Sequence, residues 1–199
     1  MPSSNVAKAK IKAGNRTLVE TDNDFYETHP DVVKALLKHE NFTSNILECC
    51  CGLGAISNVL IDKGFVVDSA DLIDRGYGRV EDFLSDKEVT EADMVSNIIT
   101  NPPYRHLNKF IARSKLIATE KIALLVPTTF LASVGRYDMF QDKEFPLAKI
   151  YQFSSRISMY KASDTEKTGR GMIDYCWAIW DKNYTKGNPE IYWIKDTQS

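Results

Sequence analysis

The sequence predicts an α/β fold in which a mostly parallel sheet carries helices on both faces and ends in a C-terminal antiparallel hairpin. Short, wholly apolar segments alternate with amphipathic segments, which is typical of buried parallel strands separated by covering helices. The last two apolar segments, 148–153 and 175–180, are joined only by a polar connection, which favours a hairpin. The length of 199 residues fits one domain with a full core.

Local signals set the order of the elements. Pro30 begins a helix, because proline suits the first helical position and the apolar residues after it share one face. Gly64 ends a second helix, and Asn101 with its two prolines ends an apolar strand. The predicted elements are a helix from Pro30, strand 46–50, a helix after Gly54, strands 65–70 and 95–100, helix 107–118, strand 122–126, helix 130–140, and strands 148–153 and 175–180.

Composition excludes several classes of protein. No apolar run is long enough to cross a bilayer, and residues 1–16 lack the apolar segment of a secretory signal, so we expect a cytoplasmic protein without a membrane partner. Three of the four cysteines are consecutive, at positions 49 to 51, which suits neither a disulfide framework nor a metal site. We expect residues 1–22 to form a polar, mobile arm and residues 23–199 to form a single domain.

A first group of candidate site residues surrounds the turn between the first strand and its helix. Gly52 and Gly54 let the backbone turn tightly and approach a ligand, and the helix start behind them offers free N–H groups. Asp71 lies about 20 residues after these glycines, where nucleotide sites place an acid that accepts hydrogen bonds from ribose hydroxyls. Asp68 is an alternative candidate for this role, but Asp71 is favoured because it lies at the end of its strand.

The pair Asp82 and Phe83 extends the same candidate site. An aspartate can accept a hydrogen bond from an adenine amino group, and a phenylalanine can pack against the face of the ring. Ser57 stands where a dinucleotide-binding loop has its third glycine, which counts against a nicotinamide-dependent oxidoreductase.

The tetrapeptide Asn101-Pro102-Pro103-Tyr104 is the most informative motif in the chain. An amino group conjugated to a ring is a poor nucleophile, because its lone pair is delocalised. The side-chain oxygen of Asn101 and the carbonyl oxygen of Pro102 can both accept hydrogen bonds from such a group, and the prolines fix the carbonyl direction. The ring of Tyr104 can stack on a base turned out of a duplex. The motif therefore predicts chemistry on an amino nitrogen by positioning and electrostatics, without a strong general base.

In this order, the motifs resemble those of the class I S-adenosylmethionine-dependent methyltransferases, and among them the amino-methyltransferases of the adenine-N6 type. The matching segments are Asp24 to Pro30, Glu48-x-x-x-Gly52-x-Gly54, Asp71, Asp82-Phe83 and the Asn-Pro-Pro-Tyr motif. The resemblance covers residues 24–194 and is strongest to small phage and prophage DNA adenine methyltransferase-like proteins. His29 and the three consecutive cysteines depart from the pattern usual in the family.

The resemblance implies a Rossmann-like methyltransferase fold, S-adenosylmethionine as the cofactor, and the N6 of adenine in DNA as the target. In the family the N-terminal aromatic residues and threonine cover the methionine end, and the glutamate holds its amino group, directly or through water. The residues thus assigned to the cofactor are Phe25, Tyr26, Thr28, Glu48, Gly52, Gly54, Asp71, Asp82 and Phe83. Those assigned to catalysis are Asn101, Pro102, Pro103 and Tyr104, and those assigned to the target base are Arg156 and Tyr160.

Alternatives to this interpretation stay open. The Asn-Pro-Pro-Tyr motif also serves enzymes that methylate RNA bases or the glutamine side chains of proteins, although we expect DNA rather than RNA. A non-catalytic phage binding protein that kept the fold is a further alternative. No separate target-recognition domain is visible within residues 23–199, so either site selectivity is low or a helper protein presents the nucleic acid.

Overall fold

The computed structural model describes residues 26–43, 45–157, 159–161 and 173–195. The α-helices are α1 (Pro30–His39), α2 (Ala55–Asp62), α3 (Leu107–Ile117) and α4 (Tyr137–Phe140). The strands are β1 (Tyr26–Thr28), β2 (Asn45–Glu48), β3 (Val66–Asp71), β4 (Arg79–Val80), β5 (Val95–Thr100), β6 (Ala118–Pro127), β7 (Leu147–Phe153), β8 (Met159–Lys161), β9 (Tyr175–Asp181) and β10 (Glu190–Ile194). Phe25 and the predicted mobile arm lie outside the described residues.

The main sheet has the strand order β10-β7-β9-β6-β5-β2-β3-β4. Its central part is parallel, since β2 pairs with both β3 and β5, and β5 pairs with β6. β9 runs antiparallel between β6 and β7. The predicted mostly parallel sheet and its C-terminal antiparallel hairpin are therefore confirmed.

Each face of the sheet has its own core, because successive residues of a strand point to opposite faces. On one face, Ile98 of β5 and Leu124 of β6 pack with Phe110 of α3. On the other face, Ile99 and Leu125 pack with α1 and α2. Burial on both faces explains why the central strands are continuous apolar runs in the sequence. None of the helices seen in the described part of the chain has the length and apolar composition needed to cross a bilayer.

A two-stranded ribbon lies outside the main sheet. β1 pairs antiparallel with β8, so that Glu27 lies opposite Tyr160 and Thr28 opposite Met159. The ribbon joins the segment directly before α1 to the segment that follows β7. Two regions that are far apart in the sequence are thus brought together by backbone hydrogen bonds.

The amino edge of the sheet is tied together by a buried carboxylate. Glu40, at the end of α1, is 4% exposed and accepts hydrogen bonds from Lys121 (2.5 Å), Lys149 (2.7 Å) and the Tyr151 hydroxyl (2.8 Å). Burial alone would raise the pKa of Glu40, but these hydrogen bonds outweigh it and hold the pKa below its ordinary value. The network joins α1 to β6 and β7 at the edge opposite the candidate site.

The predicted helix over 130–140 is wrong in most of its length. The structure has 3-10 turns at Thr128–Leu131 and Val134–Arg136 and a short α4 after them. Gly135 weakens a helix here, and the Arg136 side chain donates a 2.9 Å hydrogen bond to the carbonyl oxygen of Phe130. That carbonyl is the one that the N–H of Val134 would need in a continuous helix.

Four strands were not predicted from sequence: β1, β4, β8 and β10. The first three have two or three residues each, and this is too short for any periodic pattern. β10 pairs parallel with β7 at the edge of the sheet, so the final strand is Glu190–Ile194 rather than the predicted segment 175–180.

Candidate active site

The predicted site residues lie along the carboxyl edge of the sheet. β5, β2 and β3 are adjacent, and β2 ends at Glu48, β3 at Asp71, and β5 directly before Asn101. Neighbouring strands lie about 5 Å apart, so these three strand ends span about 10 Å. A ligand of nucleoside size can therefore span the three strand ends, and this edge is where open α/β sheets bind their ligands.

Asp71 holds the loop between β2 and α2. Its Oδ2 accepts a 2.9 Å hydrogen bond from the N–H of Gly52, and its Oδ1 accepts one of 2.9 Å from the N–H of Ile73. Gly52 and Gly54 have φ angles of 55° and 84°, in the left-handed region that favours glycine. Each carboxylate oxygen of Asp71 keeps a second acceptor position, so it can bind a hydroxyl while it holds the loop.

Glu48 is enclosed beside this loop, at 1% exposure. The hydroxyl of Ser57, in the first turns of α2, donates to the Glu48 carboxylate and lies 2.6 Å from the hydroxyl of Ser69. Burial raises the pKa of Glu48 to about 8, and the hydrogen bonds from Ser57 offset only part of this effect. The group is thus poised to ionise when a cation is brought near it. Direct contact with a ligand requires a local rearrangement, because the carboxylate is closed off from solvent.

Two of the three loop cysteines, Cys49 and Cys51, are buried and protonated at neutral pH. Cys49 and Cys51 are 2% and 3% exposed, and all four cysteines of the chain are free. Burial raises the pKa of Cys49 well above its ordinary value and that of Cys51 to about 12. These thiols therefore fill space beside the glycines and are poor nucleophiles at neutral pH.

Asp82 and Phe83 have different surroundings. Asp82 is exposed, and its Oδ1 accepts a 2.9 Å hydrogen bond from the N–H of Leu84. Phe83 is 8% exposed and stacks on Phe110 of α3, with ring centroids 5.2 Å apart. The ring of Phe83 is therefore anchored in the core, and little of the residue is exposed.

The Asn-Pro-Pro-Tyr motif forms a rigid turn at the end of β5. The hydroxyl of Tyr104 donates a 2.8 Å hydrogen bond to Oδ1 of Asn101, and Nδ2 of Asn101 donates one of 3.1 Å to Oγ1 of Thr28. Pro102 is buried, and Pro103 precedes the 3-10 turn Tyr104–His106. The amide of Asn101 is thus fixed at both ends.

The ribbon brings one of the remaining candidates, Thr28, into contact with this motif. Thr28, which contacts Asn101, is 3% exposed and lies on β1, directly after Tyr26 and Glu27. The backbone of Tyr160 pairs with Glu27 across the ribbon. Arg156 stands apart at the surface, more than half exposed, in a 3.4 Å ion pair with Asp174. Phe25 lies outside the described residues.

A basic groove of about 260 Å³ lies next to the motif. Its lining residues are Tyr104, Arg105, His106, Leu107, Asn108, Lys109 and Arg136. Arg136 is held in place by a 2.9 Å hydrogen bond to Oδ1 of Asn108 and by its contact with the ring of Phe130, 4.9 Å from the centroid. Cationic side chains so placed suit a polyanion that enters beside Tyr104.

Three residues of this region were not identifiable from sequence patterns. Ser57 was noticed only as a missing glycine, yet its hydroxyl binds Glu48. Tyr77 packs on the glycine loop, and the flanking Gly76 and Gly78 were the one available signal. Tyr175, at the start of β9, lies with its ring centroid 6.1 Å from that of Tyr104, and no local pattern marks this pairing.

No family model matches the chain, and none of the curated proteins matches it in sequence. Solved structures do match. The type I restriction-modification system methyltransferase subunit from Streptococcus thermophilus aligns with a TM-score of 0.61 and 13% identity, over 86% of this chain and 47% of that one. A protein described as a modification subunit of a type I restriction enzyme, from Vibrio vulnificus, aligns with a TM-score of 0.59 and 16% identity, over 89% and 48%.

A third match has similar overall length. Magnesium protoporphyrin IX methyltransferase from Synechocystis, solved with bound S-adenosylmethionine, aligns with a TM-score of 0.50 and 14% identity, over 76% of both chains. The chain thus spans about half the length of the two restriction-system subunits. At these identities the matches show the fold alone, and they confirm the predicted Rossmann-like methyltransferase fold.

Proposed function

We propose that the protein transfers a methyl group from S-adenosylmethionine to an amino nitrogen, and that this nitrogen is the N6 of adenine in DNA. The observation that carries the proposal is the fixed amide of Asn101 at the carboxyl edge of β5, one strand away from the glycine loop. An amide held at both ends presents its oxygen in a set direction before the substrate arrives, so no reorganisation is needed at the reacting atom.

The groups around the glycine loop fit S-adenosylmethionine. Asp71 offers acceptors for ribose hydroxyls, and the exposed Asp82 offers one for an adenine amino group. Glu48 suits an ammonium group, since a nearby cation would favour its ionised form. Within the described part of the chain, no side-chain capping hydrogen bond is seen at the start of α2, so its N–H groups can bind an anionic group. The bound cofactor would supply a methyl group activated by its sulfonium centre.

The residues after β5 act on the target nitrogen. Oδ1 of Asn101 keeps one acceptor position beyond the hydrogen bond from Tyr104. Together with the carbonyl oxygen of Pro102 it can bind both hydrogens of an amino group. Two such hydrogen bonds draw the nitrogen toward tetrahedral geometry and free its lone pair for attack. The ring of Tyr104 can stack on the base that carries this group.

The basic groove supports a nucleic acid as the carrier of the amino group. Arg105, Lys109 and Arg136 can contact phosphates beside Tyr104, and such contacts position a nucleic acid without reading its sequence. Similarity to two restriction-modification subunits favours DNA over RNA or a protein amide. We further propose that a partner protein contributes sequence recognition, because the described residues form the sheet, its covering helices and one ribbon, with no second module.

The test is transfer of labelled methyl groups to duplex DNA, single-stranded DNA, RNA and protein. We expect label in DNA, recovered as N6-methyladenine. For Asn101→Ala we expect a transfer rate lower by about 100-fold or more, with unchanged cofactor affinity. Asn183→Ala is the matched control, because Asn183 is exposed in the turn after β9. Label confined to RNA or protein would reject DNA as the substrate. Failure of the wild-type protein to bind the cofactor would reject the enzyme in favour of a non-catalytic binding protein.

A further inference from the structure

The loop between β3 and β4 presses one aromatic ring against the glycine loop. A Cβ built on Gly54 would lie 2.4 Å from two ring carbons of Tyr77, so the ring occupies the space that glycine leaves open. Any other residue at position 54 would displace the ring. Tyr77 and Gly54 are 23 positions apart in numbering but form a single packed unit.

Hydrogen bonds hold Tyr77 from two directions. Its hydroxyl donates a 3.0 Å hydrogen bond to Oδ1 of Asn58, on α2. Its carbonyl oxygen accepts a 3.5 Å hydrogen bond from the thiol of Cys51, the residue directly before Gly52. The same tyrosine therefore contacts the glycine loop near its start and the helix that follows the loop.

Gly78, the next residue, is packed equally closely against its neighbours. A Cβ on Gly78 would lie 2.6 Å from the carbonyl oxygen of Ser69 and 2.8 Å from the sulfur of Cys51. The φ angle of Gly78 is 71°, so this position favours glycine for both conformation and space. This close packing fixes the end of the loop between β3 and β4 against β3, and it leaves Tyr77 little freedom to move away.

We propose that Tyr77 is a positioning residue for the cofactor: through its ring on Gly54 and its hydroxyl on Asn58, it sets the conformation of the glycine loop. This inference rests on the proposed function, in which that loop binds S-adenosylmethionine. Asp71 fixes the loop by the N–H of Gly52, and Tyr77 fixes it at Gly54. The loop is thus preorganised before a ligand binds, and the ligand does not have to order it.

A positioning role predicts a specific kinetic pattern. Loss of Tyr77 contacts should weaken the cofactor in the ground state and the transition state alike, because the loop lies away from the target nitrogen. The KM for S-adenosylmethionine should rise while kcat at saturating cofactor stays unchanged. A residue that only stabilised the fold would change neither parameter at temperatures where the protein is folded.

The experiment is isothermal titration of S-adenosylmethionine into the wild-type protein, Tyr77→Phe, Tyr77→Ala and Asn58→Ala. Tyr77→Phe and Asn58→Ala each remove the same hydrogen bond, so each should raise Kd about fivefold. The double variant, which carries both substitutions, should have the same Kd as either single variant. Tyr77→Ala also removes the ring and should raise Kd more than tenfold. Tyr184→Phe is the matched control, because it removes a 2.6 Å hydrogen bond to the carbonyl oxygen of Asn188 far from the site, and its Kd should not change.

Hydrogen exchange of the amides of residues 51–55 supplies a readout independent of activity. We expect faster exchange in Tyr77→Ala and not in Tyr184→Phe. Equal Kd and equal exchange in wild type and Tyr77→Ala would overturn this inference and leave the proposed function standing. No binding of S-adenosylmethionine by the wild-type protein would overturn both.

Discussion

The hydroxyl of Tyr104 donates a 2.8 Å hydrogen bond to the side-chain oxygen of Asn101, three residues before it. This contact orients the amide, since the oxygen faces the tyrosine and the nitrogen faces Thr28 at 3.1 Å. In the proposed reaction, one tyrosine of the motif would therefore serve two purposes. Its ring, which lies beside the ring of Tyr175, is proposed to stack on the base, and its hydroxyl fixes the group proposed to bind the target nitrogen.

Two substitutions at Tyr104 separate these purposes. Tyr104→Phe keeps the ring and removes the hydrogen bond, so we expect methyl transfer to slow about fivefold to tenfold. Tyr104→Ala also removes the stacking surface and should slow transfer about 100-fold, with weaker DNA binding. Single-turnover rates measure the first effect, and fluorescence anisotropy of a labelled duplex measures the second. Equal rates in Tyr104→Phe and the wild type would show that the Tyr104 hydroxyl does not orient the side-chain amide of Asn101 for the reaction.

Thr28 supports the other end of the same amide. Thr28→Val removes the acceptor of the hydrogen bond from Asn101 at nearly constant volume, and its burial at 3% leaves no water to replace it. We expect transfer to fall about tenfold. Thr28→Ser keeps the hydroxyl and should retain most activity in the same assay. If valine and serine variants behave alike, the contact between Thr28 and Asn101 has no part in the reaction.

Glu48 makes stability depend on pH. Burial raises its pKa in the folded protein to about 8 from an ordinary value of 4.5, so the folded chain holds a proton that the unfolded chain has released. The contribution of this proton to the stability of the fold is complete below pH 4.5 and is lost as the pH rises toward 8. We expect the free energy of unfolding, from urea titrations, to fall by a few kcal/mol between about pH 5.5 and about pH 8.5.

The matched variant is Glu48→Gln, which cannot ionise and keeps the size of the side chain. Its stability should vary less with pH over the same range, and the difference between the two slopes isolates the contribution of Glu48. Identical slopes in the two proteins would mean that Glu48 is ionised in the fold at neutral pH.

Glu40 offers a test of stability without a change at the site. Glu40→Gln removes the charge that pairs with Lys121 and Lys149, two largely buried lysines, although Lys121 keeps a 3.7 Å ion pair with Asp181. We expect a loss of about 3 kcal/mol in the free energy of unfolding and unchanged cofactor affinity, because the network lies at the opposite edge of the sheet. Urea unfolding and calorimetric titration check the two parts. A changed cofactor affinity would contradict the separation of the two edges.

The main elements were predictable because their signals are local. Buried parallel strands need continuous apolar runs, and proline and glycine mark where helices begin and end, as at Pro30 and Gly64. The prediction of a helix over residues 130–140 failed for the opposite reason. The apolar spacing of this segment suits a helix, but Gly135 and the side chain of Arg136 direct it into turns. That competition depends on the direction taken by the Arg136 side chain, which the sequence does not display.

The positions of the candidate site residues were also predictable, since parallel strands end at one edge. Glu48, Asp71 and Asn101 follow directly from that rule. Their partners do not. The hydrogen bond from Ser57 to Glu48 and the packing of Tyr77 on Gly54 depend on side-chain rotamers and on how a loop folds back. A sequence pattern shows spacing along the chain, and these contacts join residues with no regular spacing.

The pairing of β1 with β8 has a thermodynamic consequence. One strand carries Thr28, whose hydroxyl contacts Asn101, and the other follows Arg156 and includes Tyr160. If a ligand of the first strand shifts the ribbon, the affinity of a ligand of the second changes by some factor. The second ligand must then change the affinity of the first by the same factor, whichever arrives first. A single coupling constant, obtained from two titrations in either order, would therefore describe how cofactor and target affect each other.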